Sequence, residues 1–321
     1  MSPRAKRPAP AHSQTAIGID VGGTGVKAAV VDLVTGELAS PRLQVDTPQP
    51  ATPAAVIEAI GGIVDQLVAG GHATPDMRVG AGLPGVVKAG RLVTAANIDK
   101  SWIGAPAEAL LSARLRRPVR LINDADAAGL AEAVFGAAKG VQGTVLLLTI
   151  GTGIGSALFI DGHLLDSTEF GHVTFRGKDG ETLISGSALG RRKLGWKKWG
   201  REFSEYMALL ESWFWPDLII LGGGVSRAFP KYSKFLTARA PIVTAQYLNT
   251  SGIVGAALAA AGVGIAGAGI GAGVLTREDL PAPGTAGPRQ AGPAGDPAAS
   301  RATAQAAEAA ASLVIEDQPP R

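Results

Sequence analysis

One pattern of apolar and polar positions occurs twice, about half a chain apart. Ala16 to Ile19 is an apolar run that meets Asp20-Val21-Gly22-Gly23-Thr24-Gly25 and resumes from Val26 to Val31. Val145 to Ile150 likewise meets Gly151-Thr152-Gly153-Ile154-Gly155 and resumes from Ser156 to Ile160. Short apolar runs bounded by glycine read as buried strands, so each copy predicts a strand, a tight turn and a returning strand. After the second copy, Asp161-Gly162 turns into one more strand, His163 to Leu165.

Glycine lets a backbone approach an anion closely, and successive N–H groups point into such a turn. Thr24 or Thr152 adds a hydroxyl donor. A phosphate chain clamped between the two turns is one reading, and two ordinary hairpins is the other; the repetition favours the first. No G-x-x-x-x-G-K-[ST] occurs, and Gly151-x-Gly153-x-Gly155 lacks the final spacing and the following helix of a dinucleotide fingerprint.

Elsewhere the pattern alternates strand and helix. The expected elements are a third meander strand over Leu38–Val45, a helix over Ala54–Val68, a strand over Val79–Leu83, a helix over Pro106–Leu115, a strand over Val119–Ile122 and a helix from Ala125 to Phe135. The second half predicts a helix over Lys197–Trp215, a strand over Leu218–Leu221, the triple glycine Gly222-Gly223-Gly224 and a helix over Arg227–Thr237. Meander strands followed by helix–strand alternation, performed twice, indicate an α/β protein of two similar domains with a cleft between them. The expected boundaries are a disordered start over 1–14, domains over 15–124 and 125–245, a closing helix over 246–262 and a disordered tail over 263–321.

Composition narrows the classes. A chain of 321 residues has room for two domains, and a net charge of +3 is too balanced for a generic nucleic-acid binder. Without cysteine there is neither a disulfide framework nor a thiolate metal site, which points to an intracellular protein. The start is rich in Pro, Ala and basic residues and lacks the apolar core of a signal peptide. Ile253 to Leu275 is uncharged and long enough to span a membrane, yet nearly all Ala and Gly, which gain little on transfer into lipid; it reads as a packed helix running into low-complexity tail.

Ligands of open α/β sheets bind at the carboxyl ends of strands, so the polar residues there are the candidates. Asn123 and Asp124 stand where a strand hands over to a helix, where a carboxylate can take the proton of a substrate hydroxyl or can simply cap the helix. Asn97, Glu169 and His172 are loop groups beside apolar runs; they suit carbohydrate hydroxyls, with a structural histidine as the alternative. Asp20 can hold Mg²⁺ directly or through water, or be a turn residue, and Lys27 can meet a phosphate or be a solvated strand residue. Arg191 to Arg201 holds six basic residues and no acidic one. If helical, Lys193, Lys197 and Arg201 form a positive stripe opposite Trp196, Trp199 and Phe203, suited to a long polyanion or merely to water.

Taken together, these segments resemble the sugar-kinase, hexokinase and actin-like superfamily, and within it the ROK family. Asp20-x-Gly-Gly-Thr-x-x-x-Lys27 and Gly151-Thr-Gly-x-Gly155 resemble its two phosphate motifs, Asn123-Asp124-Ala-Asp-Ala-Ala-Gly its catalytic segment, and Glu169-x-Gly-His172 its sugar motif. The resemblance implies two ribonuclease-H-like domains, Asp124 as catalytic base, and glucose held by Asn97, Asn123, Asp124, Glu169 and His172. It implies donor phosphates near Asp20, Gly22, Gly23, Thr24, Lys27, Thr149, Gly151, Thr152, Gly153, Gly222, Gly223 and Gly224. The family continues from its sugar motif into a zinc-binding cysteine cluster that is missing here, so no structural zinc is expected and another group must orient His172. Glu181-Thr-Leu-Ile-Ser185-Gly186 still resembles the segment whose glutamate contacts the sugar.

The lost cluster, Thr94-Ala-Ala-Asn97-Ile-Asp-Lys-Ser-Trp102-Ile-Gly104 and Trp215-Pro-Asp-Leu-Ile-Ile-Leu-Gly222-Gly-Gly224 resemble an actinobacterial branch of the family. That resemblance implies a cytoplasmic, homodimeric, Mg²⁺-using enzyme that moves a phosphoryl group from inorganic polyphosphate, and often from ATP, to the 6-hydroxyl of glucose, with no nucleic-acid or membrane partner. An ATP-only sugar kinase is the competing reading. A sugar-responsive repressor is a third; it would need a DNA-binding segment before the first strand, where only about fifteen residues stand.

Overall fold

Seven residues, Thr15–Val21, form the first strand, β1, and alternate between two environments: Ile17, Ile19 and Val21 face an outer core, Ala16 and Gly18 an inner one. Period-two alternation therefore puts Asp20 on the inner side, at the strand's carboxyl end. The computed structural model of the protein describes residues 14–247 and 249–264. Expectations for residues 1–13 and 265–321 lie outside the described residues.

The chain continues through β2 (Gly25–Asp32), β3 (Leu43–Asp46), α1 (Pro53–Ala69), β4 (Val79–Leu83), a small hairpin of β5 (Val87–Lys88) and β6 (Arg91–Leu92), α2 (Ala107–Leu115) and β7 (Val119–Asn123). Five of these strands form a sheet in the order β3-β2-β1-β4-β7, with β1–β4 and β4–β7 parallel. Helix α3 (Asp124–Val134) follows. Then β8 (Thr144–Ile150), β9 (Ile154–Ile160), β10 (His163–Leu165), a hairpin of β11 (Thr174–Phe175) and β12 (Lys178–Asp179), α4 (Gly180–Ile184), α5 (Gly186–Arg191), α6 (Trp196–Phe214), β13 (Leu218–Gly222), α7 (Phe229–Tyr232), β14 (Ile242–Thr244) and α8 (Ser251–Ala260) complete the described chain. The second sheet, β10-β9-β8-β13-β14, repeats the plan of the first, as the doubled pattern predicts.

Helices α3 and α8 lie on the inner faces and share one core with both sheets. Small residues make this possible: a Cβ on Gly18 would stand 1.8 Å from the Ile253 carbonyl oxygen, and one on Gly255 would stand 1.6 Å from that of Ala127. The Ala/Gly-rich run at Ile253 is thus a close-packed helix, and among the described residues no helix is long and apolar enough to cross a membrane. The outer faces are covered by α1 and α2 on the first sheet and by α6 on the second, with Trp199, Phe203, Tyr206 and Met207 fully buried.

Three local expectations need correction. The third meander strand is broken: Leu38 bridges Val31, Ser40 Oγ accepts from Val30 N at 2.9 Å, and only then does β3 begin, because Pro41 cannot donate to a ladder. The helix expected over Arg227–Thr237 is a series of short turns around α7, since Pro230 cannot supply the N–H of a continuing helix and Tyr232 is drawn into the core against Trp199, ring centroids 4.9 Å apart. Finally, the tail does not begin at residue 263: Val263 packs on the inner core and the Gly264 carbonyl accepts from Leu164 N at 2.9 Å. The helix before β13 does end just before Pro216, where helices commonly stop, and Trp215 closes it in the left-handed region at φ 45°.

Candidate active site

Parallel register brings the candidate strand ends side by side. Asp20 pairs with Gly82, Leu83 with Asn123, and Gly222 with Thr149, so the polar groups of each sheet collect at its carboxyl edge. Two cavities adjoin there, sharing Asp124, Thr149 and Gly223. The larger, about 760 Å³, is lined by Asn97, Asn123, Glu169, His172 and Glu181 and by the turn Gly151-Thr152-Gly153. The smaller, about 400 Å³, is lined by Asp20 and Lys27.

Asn123 is the N-cap of α3. Its Oδ1 accepts from Ala125 N (2.8 Å) and Asp126 N (3.1 Å), while Nδ2 donates to the Gly85 carbonyl (3.1 Å), which leaves one amide hydrogen for a ligand. The cap fixes Asp124 as the first residue of the helix, recessed on the cleft floor. Burial pushes its carboxyl up to about 7, the negative charges of Asp20 and Glu169 add to this, and the Ala125 N–H opposes it. A carboxylate that gains and loses a proton near neutral pH is suited to act as a base.

The sugar-motif turn is held from both sides. Gly171 lies so close to β9 that a Cβ would be 2.2 Å from the Ile154 carbonyl oxygen, and the Tyr206 hydroxyl donates to the Phe170 carbonyl. Before Glu169, Ser167 N donates to Asp126 Oδ2 at 2.7 Å, and Ser156 Oγ donates to the Thr168 carbonyl at 2.8 Å. Burial raises the Glu169 carboxyl, His172 lowers it and Glu181 raises it further. His172 sits with Nε2 3.7 Å from Glu169 and Nδ1 2.7 Å from Asp179 Oδ2. That hydrogen bond raises the histidine above its ordinary range, against partial burial. Asp179 Oδ1 also accepts from Glu181 N at 3.1 Å, and Glu181 Oε2 accepts from Ile154 N at 3.2 Å beside Gly153. The group that orients His172 where the cysteine cluster is lost is thus Asp179.

His172, Asp179 and Glu181 present ligand atoms within 4.8 Å of one another, a spacing a cation can bridge. The His172–Asp179 hydrogen bond accounts for the same closeness. In the smaller cavity, Lys27 Nζ donates to Asp20 Oδ2 at 3.1 Å, and the Asp20 carboxylate rests on Gly252 in the first turn of α8.

Some candidates lie elsewhere. Gly22, Gly23 and Thr24 line neither cavity, although Gly23 abuts Asn97, with a Cβ there placed 3.0 Å from the Asn97 carbonyl oxygen. Gly222 is buried under Thr149, and Gly224 opens a short helical turn. The basic stripe is corrected: Lys193 is not on the helix but in the turn before it, at φ 49°. Lys197 and Arg201 line a shallow depression with Arg176 and Lys198, outside both cavities of the cleft. The sequence reading missed Asp179, Asp126, Lys100, Arg42 and Asn249. Asp126 and Lys100 stand inside the motif segments quoted above but were given no role; Lys100, Arg42 and Asn249 line the cavities, while Asp126 and Asp179 reach the site through Ser167 and His172.

The sequence profile of the ROK family matches residues 16–192. The polyphosphate glucokinase of Mycobacterium tuberculosis (strain CDC 1551 / Oshkosh) is 46% identical over 243 residues, 75% of this chain and 89% of that protein. Among solved structures, the inorganic polyphosphate/ATP-glucomannokinase of Arthrobacter sp. strain KM superposes with a TM-score of 0.74 at 48% identity, covering 77% of this chain and 98% of that one. A ROK family glucokinase from Streptomyces griseus, in complex with glucose and AMPPNP, gives 0.65 at 28% identity over 76% of this chain and 98% of its own.

Proposed function

The chain belongs to the ROK family, and from that premise we propose that it transfers the terminal phosphoryl group of inorganic polyphosphate, and also of ATP, to the 6-hydroxyl of glucose. The observation that carries this reading is the position of Asp124, at the junction of a cavity lined by sugar-type donors and acceptors and one lined by Asp20 and Lys27.

In this reading glucose lies in the larger cavity, its hydroxyls met by Asn97, Glu169, His172 and Glu181. The sugar 6-oxygen attacks the donor's terminal phosphorus in line, the bond to the bridging oxygen breaks, and the donor leaves shortened by one phosphate. Asp124 takes the hydroxyl proton. Because such transition states are loose, positioning and charge stabilisation carry most of the catalysis, and a single carboxylate suffices as base. The Thr152 hydroxyl and the backbone of Gly151 to Gly153 supply donors to the phosphates.

A divalent cation fits this floor, because Asp20 and Asp124 turn carboxylates of like charge into one cavity. Asp20 would hold Mg²⁺, directly or through water, and Mg²⁺ when bound would neutralise donor oxygens. The assignment extends to a cytoplasmic homodimer on the family resemblance, and size-exclusion chromatography with light scattering tests the dimer.

The decisive assay couples glucose 6-phosphate formation to a dehydrogenase, supplying polyphosphate or ATP separately. Turnover with both donors is expected; turnover with ATP alone would leave an ATP-only sugar kinase.

A further inference from the structure

The donor-side cavity extends past the reaction centre, and its charges are unevenly paired. Next to Asp124, Lys27 is neutralised by Asp20. The same cavity is lined by Arg42 and by Asn249, whose Oδ1 accepts from Arg227 Nη2 at 2.8 Å. Among the described residues neither Arg42 nor Arg227 has a carboxylate partner. Gln44 stands opposite Lys27 in the β2–β3 register, and Arg42, just before β3, lines the same cavity as Lys27. In the sheet order β3-β2-β1-β4-β7, β7 leads into Asp124 at one end, so Lys27 on β2 and then Arg42 at β3 follow one another away from Asp124.

The two donors differ in what they place along that line. ATP carries three phosphates and then a neutral ribose and base. Polyphosphate carries a negative charge on every successive phosphate. A cation paired within the protein near the reaction, followed by an unpaired one beyond it, matches the second donor. We infer that Arg42 is a donor-specificity residue that holds polyphosphate beyond the phosphates nearest the transferred group, with Arg227 fixing Asn249 in the same cavity. This rests on the donor assignment of the same cleft. It places the track inside the cleft and not along Lys197 and Arg201, which line none of its walls.

The test compares Arg42→Glu, Arg42→Ala and Arg42→Lys with the unaltered enzyme, at saturating glucose, using long-chain polyphosphate, a short chain and ATP. The ratio of kcat/KM for the long chain to that for ATP is expected to fall tenfold or more in Arg42→Glu, less in Arg42→Ala, and least in Arg42→Lys. The loss should appear in KM, and the salt dependence of KM for the long chain should weaken, because exposed charges are screened over about 10 Å at 0.1 M salt. An unchanged ratio overturns the inference, as does an equal loss with both donors in a variant whose melting temperature is unchanged. A larger effect from Lys197→Glu with Arg201→Glu than from Arg42→Glu would also overturn it, by moving the track to the outer surface. An unaltered enzyme that uses ATP but no polyphosphate would instead defeat the proposed function.

Discussion

Asp179 holds His172 through a 2.7 Å contact from Oδ2 to Nδ1, while its other oxygen caps the helix that carries Glu181. One carboxylate thereby aligns two groups of the larger cavity. Asp179→Ala should raise the KM for glucose about two- to fivefold, a modest loss because the His172–Asp179 pair is half exposed and water can replace part of the contact. Asp179→Asn, which keeps an acceptor and loses the charge, should fall between. In both, the His172 ring should titrate at lower pH than in the unaltered protein, because its protonated form loses its anionic partner; NMR of the ring protons checks this, and an unmoved titration would show that Asp179 does not set the ring.

Asp124→Asn should lower kcat on the order of a hundredfold or more, since the amide cannot take a proton. Glucose should still bind, by calorimetry. The base must be ionised, and burial has raised it to about 7, so kcat/KM for glucose should climb as pH rises through that region. A profile flat from pH 5 to 8, or near-normal turnover in Asp124→Asn, would remove Asp124 from this role.

Asp126 gives a stability prediction of definite sign. It is buried, its Oδ2 holds Ser167 N and its Oδ1 has no partner, and burial pushes the carboxyl up to about 8. Between about pH 4 and 8 the unfolded chain releases this proton while the folded protein retains it, so stability falls as pH rises. Asp126→Asn, which can still accept from Ser167, should escape that loss, and its melting temperature should gain on that of the unaltered protein from pH 5 to pH 8. A constant difference would mean the acid is ionised in the fold.

Asn97 adopts φ 59°, a region costly for most side chains. Asn97→Gly separates backbone from side chain, because glycine takes that conformation freely. Its melting temperature should be near that of the unaltered protein, while glucose affinity should drop several-fold with little change in KM for either donor. Glu169→Ala should do the same more strongly, and unchanged affinity in either variant would return the residue to a structural role.

The local pattern along the chain determined a great deal: the two glycine turns, the doubled strand plan and the Asn123 cap that sets Asp124 at a helix start are all properties of short segments. Period-two alternation alone places Asp20 on the inner face of β1. What the chain order could not show is which distant groups meet. His172 and Asp179 are neighbours only because the β11–β12 hairpin folds back; Asp126 reaches Ser167 because α3 packs on β9; Arg42 joins Lys27 through the β2–β3 register. The stripe at Lys193 failed for the converse reason, since helical spacing has meaning only where the backbone is helical, and the turn before α6 ends that spacing at Lys193. Turns and caps follow from local backbone energetics, whereas the pairing of charges across the cleft depends on long-range packing of α3 and α8, decided only when both sheets close on their small residues.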